Sequence, residues 1–150
     1  ALDTRIDESC LIVARTDART DFGIDEAIRR GNAFAAAGAD LVFIEALASE
    51  AEMERVCREV SGRLIANIAP TGVTPVVTVS RLAELGFSAA IFPALTAMTA
   101  MTTMENALRR LKKTGDSTHP DLPVYDFRKA CRLFGFDDYR DLAARWEKLD

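Results

Sequence analysis

The chain has 150 residues, of which 49% are apolar and 28% charged, and its net charge is −4. This length and balance fit one globular domain and exclude a disordered or fibrous protein. The negative charge offers no attraction to nucleic acid or to an anionic membrane surface, so neither is expected as a partner. No apolar run is long enough to span a bilayer and the first residues lack a signal-peptide pattern, so we expect a cytoplasmic protein.

The cysteines and the histidine predict structural or solvated roles. Three cysteines at wide spacings and a single histidine disfavour a disulfide framework or a zinc site. Cys57 shares a helical stripe with Met53 and Val56, which predicts a small core residue. His119 lies in a turn-rich connector, where a lone histidine is typically solvated.

Four strand-helix units follow one another along the chain. Apolar runs begin near residues 11, 40, 64 and 89, and a helical pattern follows each of them. Gly38 ends the first helix, and Ser49 with Glu52 forms the signature of a capping box. A third helix is predicted over about Val79 to Leu85. The fourth is a long helix with an apolar stripe of Met101, Met104, Leu108 and Leu111.

This alternation predicts parallel strands joined by right-handed crossovers, with both strand faces covered. Two architectures fit: an open doubly wound α/β sheet, or part of a (β/α)8 barrel. A full barrel needs eight units, so the four units over residues 1–113 predict half of one. We expect a linker at 114–123 and two amphipathic helices over 124–150, which would pack on their own barrel or on another subunit.

Polar side chains stand where the predicted strands end, which is where parallel α/β folds bind ligands. Strand one ends at Arg15 and Asp17, strand two at Glu45 and strand three at Asn67. An arginine can neutralise a carboxylate or an oxyanion, a glutamate can hold Mg²⁺ or its waters, and an amide can bind a carboxylate or hydroxyl. The alternative is a plain ion pair of Arg15 with Glu45 or Asp17, and we assign Asp17 a structural role.

Four sequence motifs in order resemble the second half of the isocitrate lyase and phosphoenolpyruvate mutase superfamily. They are ARTDAR, GADLVFIEAL, ANIAPTGVTP and LGFSAAIFPA. Within that superfamily the similarity is closest to 2-methylisocitrate lyase, dimethylmalate lyase, oxaloacetate decarboxylase and carboxyphosphonoenolpyruvate phosphonomutase.

The resemblance implies a (β/α)8 barrel that assembles into homo-oligomers, usually tetramers, with C-terminal helices exchanged between subunits. It also implies a Mg²⁺-bound 2-oxo acid or its enolate as the intermediate. Carried over residue by residue, Arg15 would neutralise the enolate oxygen as catalytic and substrate-binding residue. Glu45 would hold Mg²⁺ through water, and Asn67 with the Ile68 and Ala69 backbone would bind a substrate carboxylate.

The chain departs from the superfamily pattern in several places. The aspartates near Mg²⁺ and the loop with the catalytic cysteine belong to the first half of the barrel, and nothing here matches them. The segment after Asn67 has the single Gly72 where lyases often have an acid and paired glycines. Thr99 stands where methylisocitrate lyases place an arginine, which favours a smaller diacid such as oxaloacetate or a substituted malate.

We therefore expect a Mg²⁺-dependent lyase or decarboxylase of a small 2-oxo or 2-hydroxy diacid, with an enolate intermediate. One alternative is a truncated, catalytically silent half-barrel that serves as a binding or assembly module. A phosphonomutase is another. An open sheet with a nucleotide ligand is disfavoured because no glycine-rich phosphate loop follows strand one.

Overall fold

The structure is a computed structural model that describes residues 1–146. A 3₁₀ turn at Leu2–Thr4 precedes an alternation of strands and helices. The elements are β1 Val13–Thr16, α1 Ala18–Phe22, α2 Ile24–Ala36, β2 Leu41–Ile44, α3 Glu50–Glu59, β3 Ile65–Asn67, α4 Val79–Leu85, β4 Ala89–Ile91, α5 Leu95–Thr114, α6 Phe127–Leu133 and α7 Phe136–Trp146. The four predicted strand-helix units are thus all present.

The strands are parallel and follow one another in chain order. β1 pairs with β2 and β3 with β4, and a bridge between Val42 and Leu64 joins the two pairs. Arg15 lies opposite Phe43 in this register. Doubly wound sheets reverse their strand order within the first four strands, whereas barrel strands do not. The α/β arrangement is therefore consistent with a partial barrel and disfavours the open sheet.

The core lies between one face of these strands and helices α2 to α4. Val42 and Ile44 point into it and pack with Met53 and Val56 of α3. Helix α2 comes close at Gly31, where an added Cβ would lie 3.3 Å from the Ile44 side chain. The small residue therefore sets the distance between helix and strand.

The opposite strand face is only partly covered. Val13 is 45% exposed and Ile91 is 39% exposed, although both belong to apolar strands. For the described residues, the prediction of cover on both faces is therefore met on the helix side and only in part on the other side, where Phe43 is buried. The helices lie along one face of the four strands, and these strands do not close around an interior that would bury the other face.

The predicted helix ends are confirmed. Gly38, with φ at +96°, ends α2 while the Ala39 N–H donates to the Phe34 carbonyl over 3.1 Å, a Schellman arrangement. The Ser49 hydroxyl accepts from the Glu52 N–H over 3.1 Å and so caps α3. The Glu52 carboxylate returns to the Ala48 N–H, one residue before the N-cap.

The chain divides into two compact units, Ala1–Thr99 and the part from Ala100 onward. In the second unit α6 packs with α7, and neither helix contains a buried residue. The predicted C-terminal segment extends to 150, and its residues 147–150 lie outside the described part. Over residues 1–146, no helix combines the length and apolarity that crossing a bilayer requires.

The cysteine and histidine predictions agree with the structure. Cys57 is partly buried against the core, and burial raises its thiol pKa to about 11, so the thiolate form is disfavoured. His119 is partly exposed in the connector, where its Nδ1 accepts from the Asp121 N–H over 3.2 Å.

Candidate active site

Three successive strands deliver polar side chains to one edge of the sheet, which we call the rim. Arg15 belongs to β1, Glu45 follows β2 directly and Asn67 is the last residue of β3. Side chains alternate along a strand, so Glu45 points away from the helix side on which Ile44 is buried. The strand ends thus place an arginine, a carboxylate and an amide on the partly open face.

One carboxylate oxygen connects the three side chains. Glu45 Oε2 lies 3.1 Å from Arg15 Nη2 and accepts a hydrogen bond from Asn67 Nδ2 over 3.3 Å. The Glu45 side chain is 20% exposed, so this oxygen is largely shielded from bulk water. The topology therefore brings together the three residues that the strand-end rule singled out.

Asp17 and Phe43 hold the Arg15 guanidinium. Arg15 donates to the Asp17 carboxylate through Nε over 2.9 Å and Nη2 over 2.7 Å, and its Cζ lies 4.9 Å from the Phe43 ring centroid. The hydrogen bond with Asp17 raises the pKa of Arg15 and lowers the pKa of Asp17. Asp17 thus orients Arg15, as predicted. Its side chain does not cap α1.

The Glu45 side chain is also fixed from its own loop. Its Oε1 accepts a hydrogen bond from the Ala46 N–H over 3.0 Å. Ala46 has φ at +61°, in the left-handed region that a residue with a Cβ seldom adopts. A strained residue beside a polar site is typical of functional loops, where the surrounding contacts hold it in place.

Asn67 leaves one acceptor unused. Its Oδ1 is buried and has no hydrogen-bond partner in the described chain, although its Nδ2 bonds to Glu45. A buried carbonyl oxygen without a donor is costly, so a donor supplied by a ligand or a bound water would stabilise it. The second Nδ2 hydrogen remains available for a ligand oxygen.

The backbone after Asn67 is partly occupied. The Ile68 N–H donates to the Ile91 carbonyl over 2.9 Å, and the Ile68 side chain is buried in the core. The Ala69 carbonyl accepts from the Gly72 N–H over 3.0 Å. The predicted carboxylate contact through the Ile68 N–H would therefore compete with a bond of the sheet, while Ala69 lies in the loop beyond it.

A comparison with known families identifies the family of the chain. Residues 2–112 match the model of the phosphoenolpyruvate phosphomutase family. The chain belongs to that family. It is part of the isocitrate lyase/PEP mutase superfamily that the four motifs indicated, so the predicted membership is confirmed.

Individual relatives agree with the family assignment. The chain is 35% identical to 2,3-dimethylmalate lyase of Eubacterium barkeri over 95% of its own length and 49% of that protein. It is 37% identical to 2-methylisocitrate lyase of Aeropyrum pernix, over 86% and 42%. A structure of oxaloacetate acetylhydrolase with 3,3-difluorooxalacetate superposes with a TM-score of 0.82 at 25% identity, over 91% and 46%. The chain spans about half the length of the curated relatives it matches.

The rim residues suit contact with Mg²⁺ through its bound waters better than direct coordination of the ion. Within residues 1–146 no group of three or more histidine, cysteine or acidic side chains is arranged to hold a metal ion. Glu45 is an oxygen acceptor that keeps some exposure, and the waters of a hydrated Mg²⁺ are hydrogen-bond donors. The donor set of this family member therefore suits contact with the ion through water.

Sequence reasoning missed two contributors to the rim. Phe43 lies two residues before Glu45 on the same strand face, so the alternation and the register with Arg15 could have revealed it. The left-handed turn at Ala46 had no sequence signal, since alanine seldom adopts that conformation. Both act on the side chains already named and add no new chemistry of their own.

Proposed function

We propose that this chain is the C-terminal half of a Mg²⁺-dependent (β/α)8-barrel lyase or decarboxylase that acts on a small 2-oxo or 2-hydroxy diacid through an enolate. The observation that carries the proposal is that Arg15 and Asn67 both meet Glu45 Oε2 at the ends of three parallel strands. The family membership and the named relatives, which include lyases of substituted malate and isocitrate, support it.

Arg15 has the properties needed to stabilise an enolate oxygen. Its guanidinium stays protonated beside Asp17, and half of its side chain remains exposed toward the partly open face. The donors are oriented before any ligand arrives, because Asp17 and Phe43 fix the planar group. A preoriented cation favours the charge that develops in the transition state over the less charged ground state.

Glu45 is proposed to hold Mg²⁺ through the water shell of the ion. Bound Mg²⁺ would polarise the 2-oxo group and stabilise the enolate charge. Glu45 would contribute the carboxylate that accepts from metal-bound water, and Asn67 holds one of its oxygens through Nδ2. Because the Ala46 N–H holds the other oxygen, Glu45 would orient such waters with little loss of conformational freedom.

The substrate carboxylate is proposed to bind at Asn67 and the following backbone of Ile68 and Ala69. The free Nδ2 hydrogen of Asn67 is the side-chain donor available there. No lysine or arginine occurs between Ile91 and Arg109, so the segment after β4 offers no cation to an additional carboxylate. This favours a diacid such as oxaloacetate or a substituted malate over a tricarboxylate.

The assembly is proposed to be a homo-oligomer, a dimer or tetramer, to which α6 and α7 contribute by packing on a neighbouring subunit. Large aromatic side chains on these helices are exposed to an unusual degree, with Phe127 at 79%, Phe134 at 75%, Tyr139 at 70% and Trp146 at 64%. Such faces normally become buried in an interface. The proposed compartment is the cytoplasm.

A substrate panel on the full-length protein tests the proposed activity. Purified enzyme would receive oxaloacetate, 2,3-dimethylmalate, 2-methylisocitrate and phosphoenolpyruvate in turn, with Mg²⁺ or with a chelator. We expect cleavage of a diacid that depends on Mg²⁺ and falls by about 100-fold in Glu45→Gln. Turnover of phosphoenolpyruvate alone would favour the phosphonomutase. Activity that is unchanged by the chelator and by Glu45→Gln would contradict the proposed metal role.

A second candidate is a catalytically silent half-barrel that acts as an assembly or binding module. The observation that favours it is that the rim of the described residues holds a single shielded carboxylate and no three-ligand metal cluster. Its test uses the 150-residue chain itself. If that chain assembles into a defined oligomer and turns over none of the four substrates, the result would favour an assembly or binding module over half of an enzyme.

A further inference from the structure

We infer that Arg19 and Glu52 form a positioning pair that holds the Arg15 and Glu45 loops at a fixed separation. Arg19 donates to Glu52 through Nε over 3.0 Å and through Nη2 over 2.9 Å, which makes the ion pair bidentate. The two side chains are only 25% and 22% exposed, so the pair is partly shielded from solvent. Shielded bidentate pairs fix geometry more firmly than exposed single contacts do.

Glu52 extends this contact to the loop that follows Glu45. The carboxylate oxygen that meets Arg19 Nε also accepts from the Ala48 N–H over 2.8 Å. The Glu52 N–H in turn donates to the Ser49 hydroxyl. Residues 46–49 are thus held at their far end by one carboxylate that also binds α1.

The near end of this loop is the strained turn that carries Glu45. Ala46 sits at φ +61° and gives its N–H to Glu45 Oε1, and Leu47 is buried with 3% exposure. A left-handed alanine is retained only when its surroundings over-determine it. The Glu52 carboxylate, through the Ala48 N–H, and the buried Leu47 supply that determination.

Arg19 connects the same carboxylate to the loop that holds Arg15. It lies two residues after Asp17, whose carboxylate makes two hydrogen bonds to the Arg15 guanidinium. The pair touches neither Arg15 nor Glu45 in the described contacts, so its role is positioning and not catalysis. The chemical use of this positioning rests on the proposed function, but the positioning can be measured without any substrate.

The experiment compares Arg19→Gln with Arg81→Gln in the 150-residue chain labelled with ¹⁵N. Arg81 belongs to α4 and pairs over 2.9 Å with Glu50, which lies in the same first turn of α3 as Glu52. Amide hydrogen exchange and chemical shifts are recorded for Ala46 and Ala48. We expect exchange at these two amides to rise by about fivefold or more in Arg19→Gln, and by less than about twofold in Arg81→Gln.

Equal exchange at Ala46 and Ala48 in the two variants, with similar losses of overall stability, would overturn the inference, because the pair would then be a general brace. If Arg19→Gln does not fold, Glu52→Gln replaces it. That substitution removes the ion pair and also weakens the acceptor of the Ala48 N–H, so both amides should exchange faster. An Ala46 amide that is unchanged in Glu52→Gln would equally overturn the inference. Turnover enters none of these measurements, so a failure of the proposed activity would leave them intact.

Discussion

The packed strand-helix units before residue 100 and the helices after it use the same amphipathic pattern with opposite results. In α3, Met53 and Val56 are fully buried against β2 and β3. In α5, Met104 and Leu108 keep the same helical spacing and remain 56% and 66% exposed. Periodicity therefore predicts which face of a helix is apolar, but a buried face also requires a partner surface beside it.

The two regions also differ in where their polar groups lie. The first encloses its apolar side chains and presents Arg15, Glu45 and Asn67 at the strand ends. The second exposes aromatic side chains along α6 and α7. We therefore propose a chemical role for the first region and an assembly role for the second.

The largest effect is expected at Arg15. In the full-length protein, Arg15→Ala should lower kcat/KM by about 1,000-fold because the preoriented cation for the enolate oxygen is lost. Steady-state kinetics measure this, and sedimentation should show unchanged assembly. The exposed Arg29→Ala on α2 is the matched control. Turnover of Arg15→Ala close to wild type on every diacid tested would contradict the division of roles.

A methionine pair compares packing in the two regions directly. Met53→Ala removes a fully buried side chain and should lower the free energy of unfolding by about 3 kcal/mol. Met104→Ala changes the same side chain on the exposed stripe and should cost less than about 0.5 kcal/mol. Urea unfolding of the 150-residue chain measures both. Equal losses would mean that the α5 stripe is covered in solution.

An aromatic pair tests the assembly role. Phe134→Ser, at the C-cap of α6, should weaken self-association by about tenfold while leaving the unfolding of the first region unchanged. The control is Phe22→Ser, since Phe22 is 65% exposed but lies at the end of α1. Sedimentation velocity over a concentration series gives both dissociation constants. Equal weakening by the two variants would remove the distinction between the regions.

The smallest effect concerns acid stability in the first region. Hydrogen bonds from Arg29 and then Arg30 lower the pKa of Glu26 from 4.5 to about 2. Because the folded-state pKa is depressed, this contribution is complete above about pH 4.5 and is lost as pH falls through about 2. Glu26→Gln should therefore flatten the pH dependence of unfolding in that window alone. Glu105→Gln in α5, which removes a pair with Arg109, is the control in the second region.

Much of the first region could be predicted because its signals are local. Gly38 ends α2 through its own left-handed backbone, and Ser49 caps α3 through a bond three residues away. The order of four strands also followed from the alternation of patterns. The rim residues could be named because parallel strands bring their carboxyl ends to one edge.

The sequence by itself determined the order of the elements, the ends of α2 and α3, and the residue types at the strand ends. Tertiary structure alone decided that Glu45 Oε2 meets both Arg15 and Asn67, that the Ile68 N–H is used by β4, and that Asn67 Oδ1 finds no donor among residues 1–146. Helix ends depend on contacts within a few residues. Side-chain pairings across strands depend on register and on loop conformations such as that of Ala46, which neighbouring sequence does not specify.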